Sequence, residues 1–345
     1  MGPLWQIINV DRREANTNIW GQLGAWFFYP HDQLISHLSV PCLPEEIDEW
    51  LTEGTTIPPP GPISKLPAEL IHDIFDELLD LHEVVYLSIT CKLFLSIGKS
   101  HILRATKSYY APWIGCRLIA LSDDTETLDD LPSGLLTGAE RNEIEAAESA
   151  RTDGPDADEH EKTLSCLSRT SFERVFHTAW RMHRSNVAVQ HHYRICNWTV
   201  PDEPDRGPAG GDTRMFRTLY GDGRRATYPE GTRVLCNLSK GEYVREDGLT
   251  SPKYVNLAHA LLSRICWSAS TDVGMACEDG FRAQLTRGPW AGDRFCITTL
   301  ELLPELDSEG SRSWTNVTRE VHTLLSHMWN NNERLWNVYR SAPSR

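Results

Sequence analysis

Five side chains of the types that bind transition metals lie close together in the sequence. They are four histidines and one cysteine: His177, His183, His191, His192 and Cys196. A structural zinc site uses four such ligands in paired spacings that bring them to the corners of a tetrahedron. This group lacks those spacings, and no C-x-x-C pair occurs in the chain. The sequence therefore predicts no metal site.

A glycine string farther along the chain has the spacing of a nucleotide-binding turn. Gly221 and Gly223 begin a G-x-G-x-x-A sequence that ends at Ala226. A dinucleotide site requires a helix directly after this turn, because the helix N-terminus binds the pyrophosphate. Pro229 interrupts that helix, since proline lacks the backbone N–H and clashes with the preceding turn. The string therefore favours an ordinary turn, and we predict no bound cofactor.

The common catalytic motifs are missing from the chain. It contains no G-x-S-x-G, no H-E-x-x-H and no G-x-x-x-x-G-K-[ST] sequence. These patterns mark serine hydrolases, zinc proteases and phosphate-binding loops, respectively. Scattered Ser, His and Asp side chains could still meet in space, but no spacing selects a set. We therefore predict a non-catalytic protein, and an enzyme acting by itself is an alternative without support.

Charge and cysteine content argue against several classes of partner. The chain has 34 Lys and Arg against 48 Asp and Glu, a formal net charge of −14, which opposes binding to a phosphate backbone. Its nine cysteines are an odd number without framework spacing, which indicates a reducing compartment. No apolar stretch approaches the ~18 residues of a membrane span, and residues 1–15 lack a basic signal-peptide start. We expect a cytoplasmic and/or nuclear protein without nucleic-acid or membrane partners.

The elements that could position a binding surface are clearest in residues 63–107. Pro67 and Glu69 predict a helix start, because proline fits the first turn and a carboxylate there favours the helix dipole. The apolar positions of this helix are Leu70, Ile71, Ile74, Phe75 and Leu78. They form an arc wider than one buried stripe requires. The residues that predict a second and a third helix are Val84, Leu87 and Ile89, then Phe94, Ile97, Ile102 and Leu103.

The order and spacing of these residues resemble the F-box. The resemblance covers 45 of 345 residues and rests on Leu66-Pro67, Glu69-Leu70, Ile74-Phe75, Leu78 and Cys91-Lys92-x-Phe94. It implies three helices that dock on a Skp-type adaptor, which in turn sits on a cullin scaffold carrying the RING subunit of a ubiquitin ligase. The residues that it assigns to the adaptor are Leu66, Pro67, Leu70, Ile71, Ile74, Phe75, Leu78, Cys91 and Phe94. A generic amphipathic hairpin that begins with Leu-Pro is the structural alternative.

This resemblance implies a substrate receptor that recruits a target protein to the ligase, with catalysis left to its partners. The alternative is a non-catalytic β-rich ligand-binding or structural protein that carries a degenerate F-box. Substrate recognition is predicted within residues 233–300, at Trp267, Trp290 and Arg294, because Trp and Arg dominate the energetics of protein interfaces. Arg294 could equally form a structural pair with Asp293. The identity of the target protein is not predicted.

Six consecutive segments describe the predicted organisation. They are a strand-rich N-terminal segment (1–40), a Pro/Gly linker (41–62), the F-box (63–107), a strand-rich return segment (108–122), an acidic flexible segment (123–162) and a C-terminal α+β region for substrate recognition (163–345). The chain is thus predicted to be α+β, a small three-helix F-box with β-rich flanking modules. The acidic segment holds fourteen Asp and Glu against three Lys and Arg. Because such charge repels itself, we predict that this segment is mobile and dispensable for folding.

The two flanks contain matching short sequences. Residues 7–14 read I-I-N-V-D-R-x-E and align with residues 235–242, L-C-N-L-S-K-x-E. Residues 113–118 read W-x-G-x-R-L and align with residues 290–295, W-x-G-x-R-F. The separation from the aligned Asn to the Trp is 104 residues in the first flank (Asn9 to Trp113) and 53 in the second (Asn237 to Trp290), so the first is longer by 51, about one F-box. We predict diverged copies of one β-rich module with the F-box inserted in the first; chance similarity is the alternative.

Overall fold

Two compact units make up the chain in the computed structural model. The structure describes residues 3–27, 31–52, 61–122, 124–125, 127–152, 215, 218–219, 226–249, 255–275, 277–306 and 313–331. The first unit combines residues 1–35, 115–190 and 231–345, and the second combines residues 36–114 and 191–230. Helices and sheets both occur, so the chain belongs to the α+β class, as predicted. Residues 231–345 of the predicted C-terminal region 163–345 group with residues 1–35 in the first unit.

The second unit is helical in its described part. Its elements are α3 (Glu46–Thr52), a 3₁₀ turn (Pro62–Lys65), α4 (Ala68–Asp76), α5 (Leu81–Ile89) and α6 (Lys92–Tyr110). Helices α4, α5 and α6 lie where the sequence predicts three helices, although α6 continues past residue 107. Their facing sides bury one apolar cluster, which includes Ile71, Phe75, Val85, Leu95 and Ile102. This cluster is the core of the unit.

The segment predicted as an extended linker contains helix α3. Ile47 on this helix is fully buried, and Trp50 and Leu51 pack against the same cluster. Apolar residues at i, i+3 and i+4 lie on one side of a helix, so this spacing favours helix despite the prolines around it. The Nζ of Lys92 donates to the carbonyl of Leu51 at 3.2 Å. The prediction of a connector is therefore wrong for residues 41–52, and residues 53–60 lie outside the described part.

Two four-stranded sheets form the first unit. The sheet order is β2-β1-β3-β6 in one and β7-β4-β5-β8 in the other. The strands of the first sheet are β1 (Leu4–Asn9), β2 (Glu14–Gln22), β3 (Leu118–Ser122) and β6 (Cys266–Trp267). Those of the second are β4 (Arg233–Asn237), β5 (Glu242–Arg245), β7 (Phe295–Thr299) and β8 (Thr315–Asn316). Strands β1 and β4 are each flanked by two antiparallel neighbours, whereas β6 and β8 join as parallel edge strands.

Helices provide the remaining core of this unit. They are α1 (Leu23–Trp26), α2 (Asp32–Leu38, which crosses the division between the units), α7 (Gly138–Thr152), α8 (Leu257–Ile265), α9 (Asp279–Thr286) and α10 (Thr318–Asn331). Asn256 begins α8, because its side chain accepts the backbone N–H groups of Ala258 and His259. Every residue of α8 is buried. Helix α10 buries Val321, Leu324, Leu325 and Met328, a single stripe at helical spacing.

The central strands of the two sheets have the same register. Asn9 lies opposite Glu14 on β2 and opposite Leu118 on β3. Asn237 lies opposite Glu242 on β5 and opposite Phe295 on β7. The side chain of each Asn also accepts the backbone N–H three residues later, at 3.0 Å in both cases. The segments aligned by sequence therefore occupy equivalent positions in the two sheets.

The second pair of aligned segments, residues 113–118 and 290–295, is joined directly by backbone hydrogen bonds. The N–H of Gly115 donates to the carbonyl of Phe295, and the N–H of Gly292 donates to the carbonyl of Leu118, both at 2.8 Å. In the alignment, Gly115 matches Gly292 and Leu118 matches Phe295. Replacing each residue by its aligned counterpart therefore turns one of these hydrogen bonds into the other. Arg117 and Arg294, also a matched pair, form an antiparallel bridge with each other.

The described part of the acidic segment is ordered and packed, contrary to prediction. Leu135 and Ile144 are 3% and 5% exposed, and Leu135 packs against Ile8, Val10 and Ile119. The charge does not repel itself into solvent because basic residues elsewhere in the unit neutralise part of it. Overall composition hid the few apolar residues, which α7 and the preceding turn place on one side. Residues 153–162 lie outside the described part.

One arginine holds helix α7 to the sheets. Arg117 is 14% exposed and binds Glu140 on α7 at 2.6 Å and Asp11 at 2.6 Å. The hydrogen bonds from Arg117 and the backbone and hydroxyl of Thr137 lower the pKa of Glu140 to about 2. A carboxyl whose pKa is lowered by folding contributes stability that is complete above about pH 4.5 and is lost as pH falls towards 2. The attachment of α7 is therefore stable at neutral pH.

Replacing residues 127–152 by a short Gly/Ser linker should destabilise the first unit. The replacement removes the buried side chains of Leu135 and Ile144, and burying each contributes roughly 1.5 to 3 kcal/mol. We expect a loss of about 3 kcal/mol or more, measured by urea denaturation. Removing residues 153–162 alone is the matched control. An unchanged urea midpoint after the larger replacement would restore the original prediction of a dispensable segment.

Candidate docking surface

The first helix of the three-helix module (residues 62–110) starts at a proline. Pro67 occupies the N-cap position of α4, and its carbonyl accepts the N–H of Ile71 at 3.3 Å. The missing N–H of proline costs nothing at a helix start, where backbone donors have no intrahelical partner. Glu69 lies in the first turn, where its charge favours the helix dipole. The Leu-Pro sequence thus fixes where α4 begins.

Three of the nine residues assigned to adaptor binding lie in the core of the module. Ile71, Phe75 and Phe94 are 1%, 0% and 4% exposed. The rings of Phe75 and Phe94 meet edge to face, with their centroids 6.5 Å apart. Because these side chains are enclosed by α4, α5 and α6, they stabilise the module and do not contact a partner. Of the nine assigned residues, these three leave the least surface for an adaptor.

The remaining assigned residues reach the surface to different degrees. Leu70 and Ile74 are 48% and 38% exposed, and Pro67 is also exposed. At 100° per residue these three positions fall within about 60° of one another around the helix axis, so they form one strip. Leu66, Leu78 and Cys91 are half-buried against the core cluster. We call Pro67, Leu70 and Ile74 the α4 strip.

Sequence reasoning missed three exposed apolar side chains of the module. Leu79, in the turn after α4, is 89% exposed, and Tyr86 and Leu93 are 54% and 38% exposed. Among the described residues, Leu302 is the only large exposed hydrophobic side chain outside the module. A concentration of exposed apolar side chains marks an interaction surface more often than single ones do. The signal in the sequence was the pair Leu78-Leu79. Adjacent side chains point in different directions, so the core encloses part of Leu78 and leaves Leu79 exposed.

A possible cation-binding set lies at the start of α5. Ligand atoms of Asp80, His82 and Glu83 lie within 4.8 Å of one another. Asp80 is the N-cap of α5 and Glu83 lies in its first turn, positions where negative charge stabilises a helix without any ion. This arrangement is accounted for by the helix start and carries no metal assignment. The His177–Cys196 group considered above lies outside the described residues.

The three residues assigned to substrate binding do not form a surface. Trp290 is 0% exposed, and its indole N–H donates to Glu242. The indole N–H of Trp267 donates to the carbonyl of Asp130 at 2.7 Å, and the guanidinium of Arg287 lies over its ring. Both tryptophans are therefore engaged inside the first unit. Trp290 cannot contact a partner while it is enclosed.

Arg294 also has internal partners. Its guanidinium donates to Asp11 at 2.8 Å and to the carbonyl of Gly115 at 2.6 Å. Partial burial favours the neutral form of Asp11, but the N–H and guanidinium of Arg117 outweigh it and lower the pKa of this carboxyl. Neighbouring Asp293 differs, because burial raises its pKa although Asn237 and Lys240 oppose the shift. Arg294 thus belongs to the structural bridge between the sheets.

A shallow cleft of about 630 Å³ opens beside the start of α10. Its lining residues are Arg245, Asp247, Gly248, Asn316, Thr318, Arg319 and His322. Arg245 is already bound by Asp247 at 2.5 Å, and the hydroxyl of Thr318 accepts the N–H of Arg245. The polar groups of this cleft are largely used by one another. It is a candidate site for a small ligand.

Comparisons with known proteins do not place this chain in a family. No family model matches it, and neither a curated protein nor a solved structure is found to be similar. Among the described helices, none combines the length and the apolar character needed to cross a membrane.

Proposed function

We propose that this chain is an F-box substrate receptor that binds a Skp-type adaptor and brings a target protein to a cullin-RING ubiquitin ligase. The observation that carries the proposal is the α4 strip. Pro67, Leu70 and Ile74 are motif positions of the resemblance, and they are its exposed apolar members. The motif places apolar residues at these positions, although the core of the module does not enclose them. Burial against a partner would explain why they are apolar.

The energetics of the module support a docking role. The core of α4, α5 and α6 encloses Phe75 and Phe94 without the strip, so Leu70 and Ile74 contribute little to folding. Exposed apolar area is unfavourable in water at about 25 cal/mol per Å², and burial against a partner recovers that free energy. Leu79 and Tyr86 extend the apolar area of the module. The adaptor would cover the α4 strip first.

In this proposal the chain performs no chemistry itself. The module binds the adaptor, the cullin-bound partners carry out ubiquitin transfer, and the first unit offers a surface to the target. Trp290 is enclosed and offers nothing to that surface, whereas Trp267 and Arg294 are partly exposed and also have internal partners. The target protein and its contact residues are left open.

Binding of a purified Skp-type adaptor to the full chain is the direct test. We expect one complex that coelutes in size-exclusion chromatography and a saturable isotherm in calorimetry. A folded chain that binds no Skp-type adaptor would overturn the proposal. The alternative, a β-rich ligand-binding or structural protein with a degenerate F-box, would then be favoured, with the cleft beside α10 as its candidate ligand site.

We also infer that the two flanks are diverged copies of one module, with the three-helix module inserted in the first. The equal register of β1 and β4 supports this, as do the interchangeable bonds of Gly115 and Gly292. A further pair agrees: the N–H of Trp113 donates to the carbonyl of His37, and the N–H of Trp290 donates to the carbonyl of Arg264. The long insertion lies between His37 and Trp113 in the first copy.

Matched substitutions at the two crossing glycines test this equivalence. Gly115 and Gly292 have φ angles of 71° and 85°, where a side chain costs roughly 1 to 2 kcal/mol. We expect Gly115→Ala and Gly292→Ala each to lower the free energy of unfolding by at least ~1 kcal/mol. Gly292→Ala should lower it more, because its Cβ would come within 2.7 Å of Leu135. Gly138→Ala, with open space around it, is the control. A neutral effect at either crossing glycine would argue against equivalent roles.

A further inference from the structure

A pair of histidines lies between α4 and α6, directly behind the α4 strip. His101 on α6 is 5% exposed, and its ring stacks on Phe75 with centroids 4.9 Å apart. The Nε2 of His101 lies 2.8 Å from the Nδ1 of His72 on α4. The Nδ1 of His101 lies 2.9 Å from the guanidinium of Arg104. Both ring nitrogens of His101 are therefore in hydrogen bonds.

The donor and acceptor roles in this chain of contacts follow from Arg104. A guanidinium can only donate, so the Nδ1 of His101 must accept. A neutral imidazole that accepts at Nδ1 carries its proton on Nε2, which therefore donates to the Nδ1 of His72. His72 then also accepts at Nδ1. The arrangement is satisfied only when the two facing nitrogens share one proton and His101 is neutral.

A second proton on His101 breaks this arrangement. Its Nδ1–H would point at the N–H of Arg104, so two donors would face each other. Asp76 lies 3.4 Å from that nitrogen, but it already binds Arg104 at 2.5 Å and is half exposed. The outer charged pair, Lys99 with Asp48 of α3 at 2.6 Å, is neutral as a unit. Asp76 is the carboxylate that faces His101, and a proton on His101 would have to share it with Arg104.

We propose that the His72–His101 pair is a pH-sensitive seam that loosens α4 on acidification and so weakens adaptor docking. The docking half rests on the proposed function, whereas the loosening of α4 does not. Burial of the ring and the adjacent Arg104 lower the pKa of His101, against the opposing effect of Asp76. A histidine whose pKa is lowered by folding gives stability that is complete above pH 6.5 and declines as pH falls below it.

The size of the effect follows from proton linkage. If the opened state titrates with the ordinary pKa of 6.5 and the closed state takes up no proton, lowering pH from 7.5 to 5.5 raises the opening equilibrium by up to about tenfold. Leu70 and Ile74 are on the helix that opens. An adaptor that binds only closed α4 would lose affinity by the same factor.

Amide hydrogen exchange of the full chain, corrected for the intrinsic pH dependence of exchange, measures the opening of α4 without any adaptor. We expect protection of α4 amides to fall about five- to tenfold from pH 7.5 to 5.5. His72→Gln and His101→Gln should each reduce that fall to less than twofold. His82→Gln, on α5 of the same module and outside the seam, should behave as the unaltered chain.

Two outcomes would overturn the proposal: equal protection at both pH values, or the same pH dependence in all three variants. His101 is buried, so its substitution by Gln can unfold the module. In that case the test is decided by His72→Gln, because His72 is exposed. Adaptor affinity is then measured at both pH values. Loss of protection without any adaptor binding at pH 7.5 would refute the proposed function and leave the seam intact as a property of the fold.

Discussion

Replacing Leu70 and Ile74 together by alanine should weaken adaptor binding about 30-fold. Each side chain is roughly half exposed, so docking can bury about half of its surface, which is worth ~1 kcal/mol per residue. Two such losses amount to about 2 kcal/mol, and each 1.4 kcal/mol is tenfold in affinity. Calorimetric titration of the folded double variant with purified adaptor measures this loss directly.

The same double variant should keep its fold, because neither side chain is enclosed in the core cluster. Its circular dichroism spectrum and urea midpoint should match those of the unaltered chain. Leu302→Ala is the matched control, since Leu302 is 56% exposed and lies outside the module; it should bind the adaptor normally. If the folded double variant binds as tightly as the unaltered chain, the α4 strip is not the docking surface.

Trp290→Ala should cost about 3 to 5 kcal/mol of stability, the range for deleting a buried aromatic ring. Trp290 is fully buried in ring contact with Phe295, 5.8 Å between centroids. Its indole N–H is the donor to Glu242, and Arg264 lies over its ring at 5.1 Å. Removing the indole therefore leaves a cavity and also takes a partner from a partly buried carboxylate.

Urea denaturation of Trp290→Ala and Trp290→Phe separates these two effects. The phenylalanine variant keeps most of the apolar volume and loses only the hydrogen bond to Glu242, so we expect a smaller loss of about 1 to 2 kcal/mol. A stable Trp290→Ala protein that fails only in target recruitment would contradict the structural role. It would return Trp290 to the substrate-binding surface where the sequence analysis placed it.

The three helices of the module could be predicted because their apolar residues recur at strict helical spacing. The sequence could not divide those residues between core and surface. Ile71 and Phe75 differ from Leu70 and Ile74 by one position each, and all four are large and apolar. Packing against α5 and α6 settles which side is enclosed, and that depends on contacts such as Phe75 with His101. The nine candidate residues therefore lie in one module but divide between its core and its surface.

Composition misled the prediction at two segments. Residues 41–62 are rich in proline and glycine, yet Ile47 and its neighbours form a helix whose burial outweighs that composition. Residues 123–162 are strongly acidic, yet the described part buries Leu135 and Ile144 and binds Arg117 through Glu140. In both cases a few apolar residues at the right spacing decided the structure. Averages over a segment cannot report such residues, because burial acts on individual side chains.

Matching short sequences were informative for a different physical reason. A strand register is fixed by which residues lie opposite each other, and a shift of one residue would turn every side chain to the other face. Asn9 and Asn237 each close a turn through their own side chains, which fixes the register beside them. Short matching patterns can therefore indicate the same strand pairing, although the length of chain between them varies.

The bridge between Arg117 and Arg294 also affects the order in which parts of the chain fold during synthesis on the ribosome. The first unit cannot complete its fold until residues beyond 294 have left the ribosome. The reason is that β3 pairs with β6 and that Arg117 bridges Arg294. Helices α4 to α6 make many of their contacts with one another or with nearby α3, and local contacts form fast. We expect the three-helix module to fold while the strands of residues 4–22 are still unpaired on one side. A nascent chain would then offer its α4 strip before its sheets are complete, so adaptor binding and chain completion could overlap in time.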